Sequence, residues 1–148
     1  RADAKNYIDG YLGAYPKVSE YLKNVVAAAK QDGYVTTMFG RRRYIPELSS
    51  PQAMVRAFGE RAAMNTPVQG SAADIMKLAM IRVHRALKAS PLQARLIMQV
   101  HDELIVEAPE DKAEAACKIL KEEMENAVKL LVPLTAQISV GDNWFDAK

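Results

Sequence analysis

Apolar residues recur with helical spacing along most of the chain. Tyr7, Ile8, Tyr11 and Tyr15 lie at near-helical intervals across residues 3–15, the pattern of one helix face. Pro16 predicts a break and a restart, because the residue before a proline avoids the αR region. Val18, Tyr21, Leu22, Val25, Val26 and Ala29 give the stripe of a second helix ending near Gly33. Ser50-Pro51 reads as an N-cap with proline at the first helical position, opening a helix to about Met64. Thr66-Pro67-Val68-Gln69 has the form of a capping box and predicts a fresh start. The helix it opens carries Ala72, Ile75, Met76, Ala79, Val83 and Leu87 on one face, and a last one runs from Ala113 to Leu131.

Between these stretches the period changes from 3.6 to 2. Tyr34 to Phe39 is rich in β-branched and aromatic residues; Gly40 and then Arg43-Tyr44-Ile45 follow, predicting a short hairpin with a basic tip. Leu96, Met98 and Val100 alternate, as do Leu104, Val106 and Ala108, predicting two strands joined around His101-Asp102-Glu103. Thr135 to Val140 reads as a final strand, followed by a tail. The sum is an α+β domain, a small antiparallel sheet packed against several helices.

Composition adds bounds. A chain of 148 residues, about half hydrophobic, suits one domain with a real core. The net charge of +2 does not mark a nucleic-acid binder, but its distribution is uneven. Residues 41–61 hold five arginines against Glu47 and Glu60, whereas residues 107–125 hold seven acids against Lys112, Lys118 and Lys121. One face is expected to meet an anion. Cys117 is the only cysteine, so no internal disulfide forms, which fits a cytoplasmic setting. No apolar run approaches the roughly 20 residues of a membrane span. The start at Arg1, without Met or an apolar leader, leads to the expectation that the chain is a piece of a longer protein.

The acidic turn is the first candidate for chemistry. Two acids beside a core sheet incur desolvation unless solvent, cations or donors balance them. An ordinary solvated turn would explain an arbitrary Asp-Glu pair, but here glycine and asparagine, the usual tight-turn residues, are absent. Neighbouring strand residues point to opposite faces, so Asp102 and Glu103 are not expected to ligate one ion equally. A hard cation such as Mg²⁺ takes one or two carboxylates plus substrate phosphates. A two-metal phosphoryl-transfer site, with ions roughly 3.5–4 Å apart, needs a bridging carboxylate from elsewhere.

Arg41-Arg42-Arg43 suits phosphate contact, although an isolated basic triplet is usually a solvated turn. Arg61, Asn65 and Gln69 lie four residues apart and would share a face on a continuous helix, but the expected break at Thr66 would instead give Gln69 to the cap. As donors they suit the minor-groove acceptors that every base pair presents. Gly70-Ser71-Ala72-Ala73 is expected to allow tight packing, and it matches no phosphate loop. Tyr34, Tyr44 and Trp144 are expected in the core or at its boundary, and His84 at the surface or boundary. Two histidines and one cysteine do not make a zinc site, and His101-Asp102 lacks the further ligands of an HD-type metal phosphohydrolase.

Three segments together resemble the bacterial family A DNA polymerases: Gly33-Tyr34-Val35-Thr36-Thr37 with Arg41-Arg42-Arg43-Tyr44-Ile45-Pro46; Glu60-Arg61 through Asn65-Thr66-Pro67-Val68-Gln69-Gly70-Ser71-Ala72-Ala73-Asp74; and Gln99-Val100-His101-Asp102-Glu103. The ending Trp144-Phe145-Asp146-Ala147-Lys148 is also similar to the family's C-terminus. The resemblance implies that Asp102 binds catalytic Mg²⁺, that Glu103 is its neighbouring catalytic acid, and that His101 contacts the primer-terminal region. It implies that Arg61, Asn65 and Gln69 hold the primer–template minor groove. Residues from about 1 to 65 would be fingers and the fingers–palm junction, and residues from about 66 to 148 palm. The implied partners are primer–template DNA, deoxynucleoside triphosphates and the rest of the polymerase chain.

The family's second palm aspartate, in a motif resembling Asp-Tyr-Ser-Gln-Ile-Glu, is not in this chain, nor is the fingers helix whose Arg, Lys and Tyr bind the incoming nucleotide. The parent is therefore expected to be a polymerase of DNA replication and repair, and this piece alone to be inactive, with a half-site for metal. The alternatives are a non-catalytic duplex-DNA-binding module and a helical interaction domain with no nucleic-acid role.

Overall fold

The computed structural model describes residues 2–147; Arg1 and Lys148, the two ends of the segments read above, lie outside the described residues. The chain is α+β and divides into two compact units, Arg1–Ser71 and Ala72–Lys148.

In the first unit α1 (Ala2–Ala14) and α2 (Pro16–Asp32) are separated at Tyr15, with Pro16 at the first position of α2. Gly33 closes α2 in the left-handed region at φ 79°, its N–H bonded to Ala29 O, a conformation that glycine adopts without a Cβ clash. Strands β1 (Tyr34–Thr36) and β2 (Arg42–Tyr44) pair antiparallel, Val35 opposite Arg43. Only Arg41 of the arginine triplet lies in the connecting loop, since Arg42 and Arg43 belong to β2. A 3-10 turn over Pro46–Ser49 leads to α3 (Ala53–Ala89). Ala29, Val35, Ile45, Leu48 and Ala63 form the buried core of this unit.

Helix α3 corrects two expectations. It starts at Ala53, so Ser50 is not its cap; the Ser50 hydroxyl accepts from Gln52 N in the preceding turn. It also runs through Pro67 without a new start at Thr66. The Thr66 hydroxyl donates back to Ala62 O at 2.7 Å instead of capping forward. Proline usually breaks a helix because it lacks an N–H and crowds the preceding turn. Here the polar groups around it are engaged, for Ser71 Oγ donates to Pro67 O and accepts from Met38 N.

In the second unit β3 (Arg95–Val100) and β4 (Glu103–Glu107) form a separate two-stranded antiparallel sheet. Leu96 pairs with Val106 but Met98 with Ile105, so Ile97 is an extra residue on β3. The simple alternation expected of Leu96, Met98 and Val100 fails at this bulge, because one inserted residue sends the following side chains to the opposite face. Ala79, Val83, Leu87 and Leu104 are buried together, with Leu96, Val106, Ile119, Leu120 and Met124 packed around them. Helix α4 (Ala113–Glu125) ends at Asn126, short of the expected Leu131, and Leu131 is fully exposed. Residues 135–140 form no strand. A strand exists only where a neighbour supplies its ladder, and the only bond recorded for this stretch among the described residues runs from Ala136 N to the Glu125 carboxylate at 3.0 Å. No described helix is long and apolar enough to cross a membrane.

Candidate nucleic-acid and metal sites

The continuity of α3 settles the arrangement of the polar triplet. With 3.6 residues per turn, positions four apart are about 40° apart around the axis. Arg61, Asn65 and Gln69 therefore fall on one face, and all three are exposed. None makes a side-chain hydrogen bond among the described residues. The face presents a guanidinium and two carboxamides to solvent, a row of donors that suits acceptors of any base pair.

The arginine triplet is exposed but held. Arg41 Nη2 donates to Gly70 O at 3.1 Å and Arg43 Nη1 to Thr66 Oγ1 at 3.1 Å. The Arg42 guanidinium lies 4.7 Å from the Tyr34 ring centroid, a cation–π distance. Tyr34 and Tyr44 meet edge to face at 5.7 Å. Tyr34 is half-buried, as expected, but Tyr44 is 68% exposed and lies outside the core. Behind the loop the first two residues of the small-residue run pack tightly: Ser71 is buried and a Cβ on Gly70 would stand 2.7 Å from Thr37 Cγ2, whereas Ala72 and Ala73 are exposed. Thr37 is itself buried, its hydroxyl accepting from Phe39 N and Arg41 N.

In the same unit Lys30 Nζ lies 2.6 Å from Glu60 Oε1. The bond from Lys30, its charge and that of Arg56 hold the Glu60 carboxyl below the usual carboxylate range. Glu60 is thus paired with Lys30, and Arg61 on the adjoining position makes no ion pair among the described residues.

In the second unit His101 and Asp102 form a two-residue turn between the paired residues Val100 and Glu103. His101 takes φ 51°, a left-handed conformation that histidine adopts more readily than most residues. This explains how a tight turn forms without glycine or asparagine. Gln99 Nε2 donates to His101 O at 2.9 Å and clasps the turn. His101, Asp102 and Glu103 are all exposed. Glu103 is the first residue of β4, and its Oε2 accepts from the Trp144 indole N–H at 3.4 Å. The two acids thus differ in surroundings: Glu103 is tethered, and Asp102 makes no bond among the described residues. An exposed carboxylate of this kind is the oxygen donor that a hard divalent cation takes. Among the described residues no group of three or more His, Cys, Asp or Glu converges, so this turn offers part of a coordination shell.

Comparison with known proteins decides the family. The family model for DNA polymerase family A matches residues 1–146. The chain belongs to DNA polymerase family A. It is 52% identical over 148 residues to DNA polymerase I of Bacillus caldotenax, all of this chain against 17% of that protein. It is 48% identical over 146 residues to the thermostable DNA polymerase I of Thermus filiformis, 99% of this chain against 17% of that protein. A solved structure described as the "POL domain of Pol1 from M. smegmatis complex with DNA primer-template and dNTP" matches with a TM-score of 0.92 at 44% identity, over 99% of this chain and 26% of that one. The chain spans 17% of the length of these curated relatives. Family A DNA polymerases are metal-dependent enzymes.

Within the family A frame, each candidate residue named from the sequence lies at the surface. Sequence reasoning missed the partners: Thr66 and Gly70 for the arginines, and Trp144 for Glu103. Trp144 is 40% exposed and comes from the tail, outside the expected core. Its separation of 41 residues from Glu103 left no local signal.

Proposed function

We propose that this chain is the part of a DNA-directed DNA polymerase that carries one half of the active site and part of its hold on the primer–template. Family membership over residues 1–146 supports this reading most strongly. Residues up to about 65 serve as fingers and fingers–palm junction, and residues from about 66 onward as palm. Primer–template DNA lies along the donors of α3, with Arg61, Asn65 and Gln69 contacting the minor groove irrespective of sequence. Arg41, Arg42 and Arg43 supply positive potential toward phosphates. His101, held in its left-handed turn, contacts the primer-terminal region. Deoxynucleoside triphosphates bind through a fingers helix that lies elsewhere in the parent chain.

In the parent reaction the primer 3′-hydroxyl oxygen attacks the α-phosphorus of a nucleotide. The bond from that phosphorus to the β-phosphate bridging oxygen breaks, and pyrophosphate leaves. Asp102 is the residue that would hold Mg²⁺ here, with Glu103 as its neighbouring acid, and a second carboxylate must come from the rest of the parent. Bound Mg²⁺ supplies stabilisation of negative charge on the transferring phosphate. This chain's own residues fix the acid and hold the duplex; the isolated chain is inactive, because it carries half of the carboxylate set.

Asp102→Ala in the full-length parent tests the reading. Primer extension is expected to be abolished while duplex binding persists. Near-normal extension would overturn the assignment.

A further inference from the structure

The tail from Gly141 to Ala147 folds back on itself. A Cβ on Gly141 would stand 2.7 Å from Ala147 N and 2.8 Å from Asp146 C, so a side chain there is incompatible with this return. Asn143 organises the turn: its Oδ1 accepts from Phe145 N at 3.0 Å and Asp146 N at 3.2 Å, its Nδ2 donates to the Asp146 carboxylate, and its carbonyl accepts from Ala147 N. Trp144, the only tryptophan of the chain, lies inside this turn and donates its indole N–H to Glu103 Oε2 at 3.4 Å. An indole N–H is a donor only, so it suits an ionised carboxylate. Glu103 is fixed at its backbone by pairing with Val100 and at its side chain by Trp144.

We infer that Trp144 is a positioning residue for the acidic turn. Two adjacent carboxylates compete for the same cations and repel each other. A tether on Glu103 fixes its direction and leaves Asp102 as the acid presented to ligand. The C-terminal turn is on this view a strut of the active site. The inference rests on the polymerase reading above for its kinetic consequence, but the contact itself does not.

The experiment is a double-mutant cycle in the full-length parent with Trp144→Phe, which keeps the ring and removes the N–H, and Glu103→Gln. Trp144→Phe is expected to lower kcat for single-nucleotide addition about tenfold, roughly what a bond to a charged group supplies. The Kd for primer–template should stay unchanged and the Mg²⁺ concentration for half-maximal rate should rise. The double variant should be no slower than Glu103→Gln alone. Multiplicative losses would overturn the inference, as would a Trp144→Phe enzyme with unaltered Mg²⁺ dependence. A readout independent of catalysis is the indole N–H resonance of Trp144 in ¹⁵N-labelled parent, which should move in Glu103→Gln; an unmoved resonance overturns the contact. Should the polymerase reading itself fail, Asp102→Ala would extend primers normally while the resonance shift would remain.

Discussion

The Arg43 guanidinium donates to Thr66 Oγ1 at 3.1 Å, and that hydroxyl donates in turn to Ala62 O at 2.7 Å. One buried hydroxyl thereby joins strand β2 to the interior of α3. Replacing Thr66 with isosteric Val should remove both bonds and destabilise the fold by about 1–2 kcal/mol. Urea denaturation should show a lower midpoint at unchanged slope.

Gly70 faces Thr37 closely, and Thr37 is locked by two backbone donors. Gly70→Ala gains helix propensity of about 1 kcal/mol but forces an overpacked contact of about 1–3 kcal/mol. The expected outcome is a net loss of stability of about 1 kcal/mol, read by thermal unfolding. A gain would show that the loop moves away freely.

Glu60 titrates below the usual carboxylate range because Lys30 bonds and attracts it. A carboxyl depressed by folding stabilises at pH above its unfolded value, and that contribution disappears as pH falls through the folded value. Lys30→Met should return the Glu60 titration, followed by carboxyl ¹³C NMR, toward the ordinary range. The stability lost in Lys30→Met should be present in full at pH above about 4.5 and should vanish as pH falls below it.

The exposed donors of α3 and the arginine triplet predict salt-sensitive duplex binding. Reversing Arg42 and Arg61 to Glu in the parent should weaken primer–template affinity at least about tenfold and flatten the salt dependence by roughly two units of slope. Fluorescence anisotropy between 50 and 200 mM salt, in the range where such slopes are read, measures both. Unchanged affinity would favour an interaction surface with no nucleic-acid role.

Leu104 is buried between β4 and α3 in the second unit, next to the acidic turn. Leu104→Ala should cost about 2–4 kcal/mol through lost burial and a residual cavity. Hydrogen exchange of the β3–β4 amides should accelerate with it.

Much of this fold was legible as periodicity. Within the stripes, Val25, Val26 and Ala29 of α2 and Ala79, Val83 and Leu87 of α3 face a core, because 3.6-residue spacing aligns them, while Val18 and Tyr21 stay exposed. The positions of Gly33 and Pro16 were legible too, since each answers to a local backbone rule. The acidic hairpin followed from two alternating runs, and the candidate residues followed from their order along the chain.

The sequence by itself determined the residue types at the site, the helix and strand periods that carry them, and the family resemblance of three separated motifs. Tertiary structure decided where local signals conflicted. Thr66-Pro67 carries a start signal that α3 overrides, because Arg43 and Met38 engage the Thr66 and Ser71 hydroxyls around the proline from outside the local sequence. Continuity there brings Arg61, Asn65 and Gln69 onto one face. Ile97 becomes a bulge through its partner strand, and residues 135–140 stay unpaired in this chain although they alternate. The link from Trp144 to Glu103 likewise depends on a chain return that no local pattern encodes. Hydrogen bonds to distant partners cancel a local preference of about 1 kcal/mol, and only the folded chain brings those partners within reach.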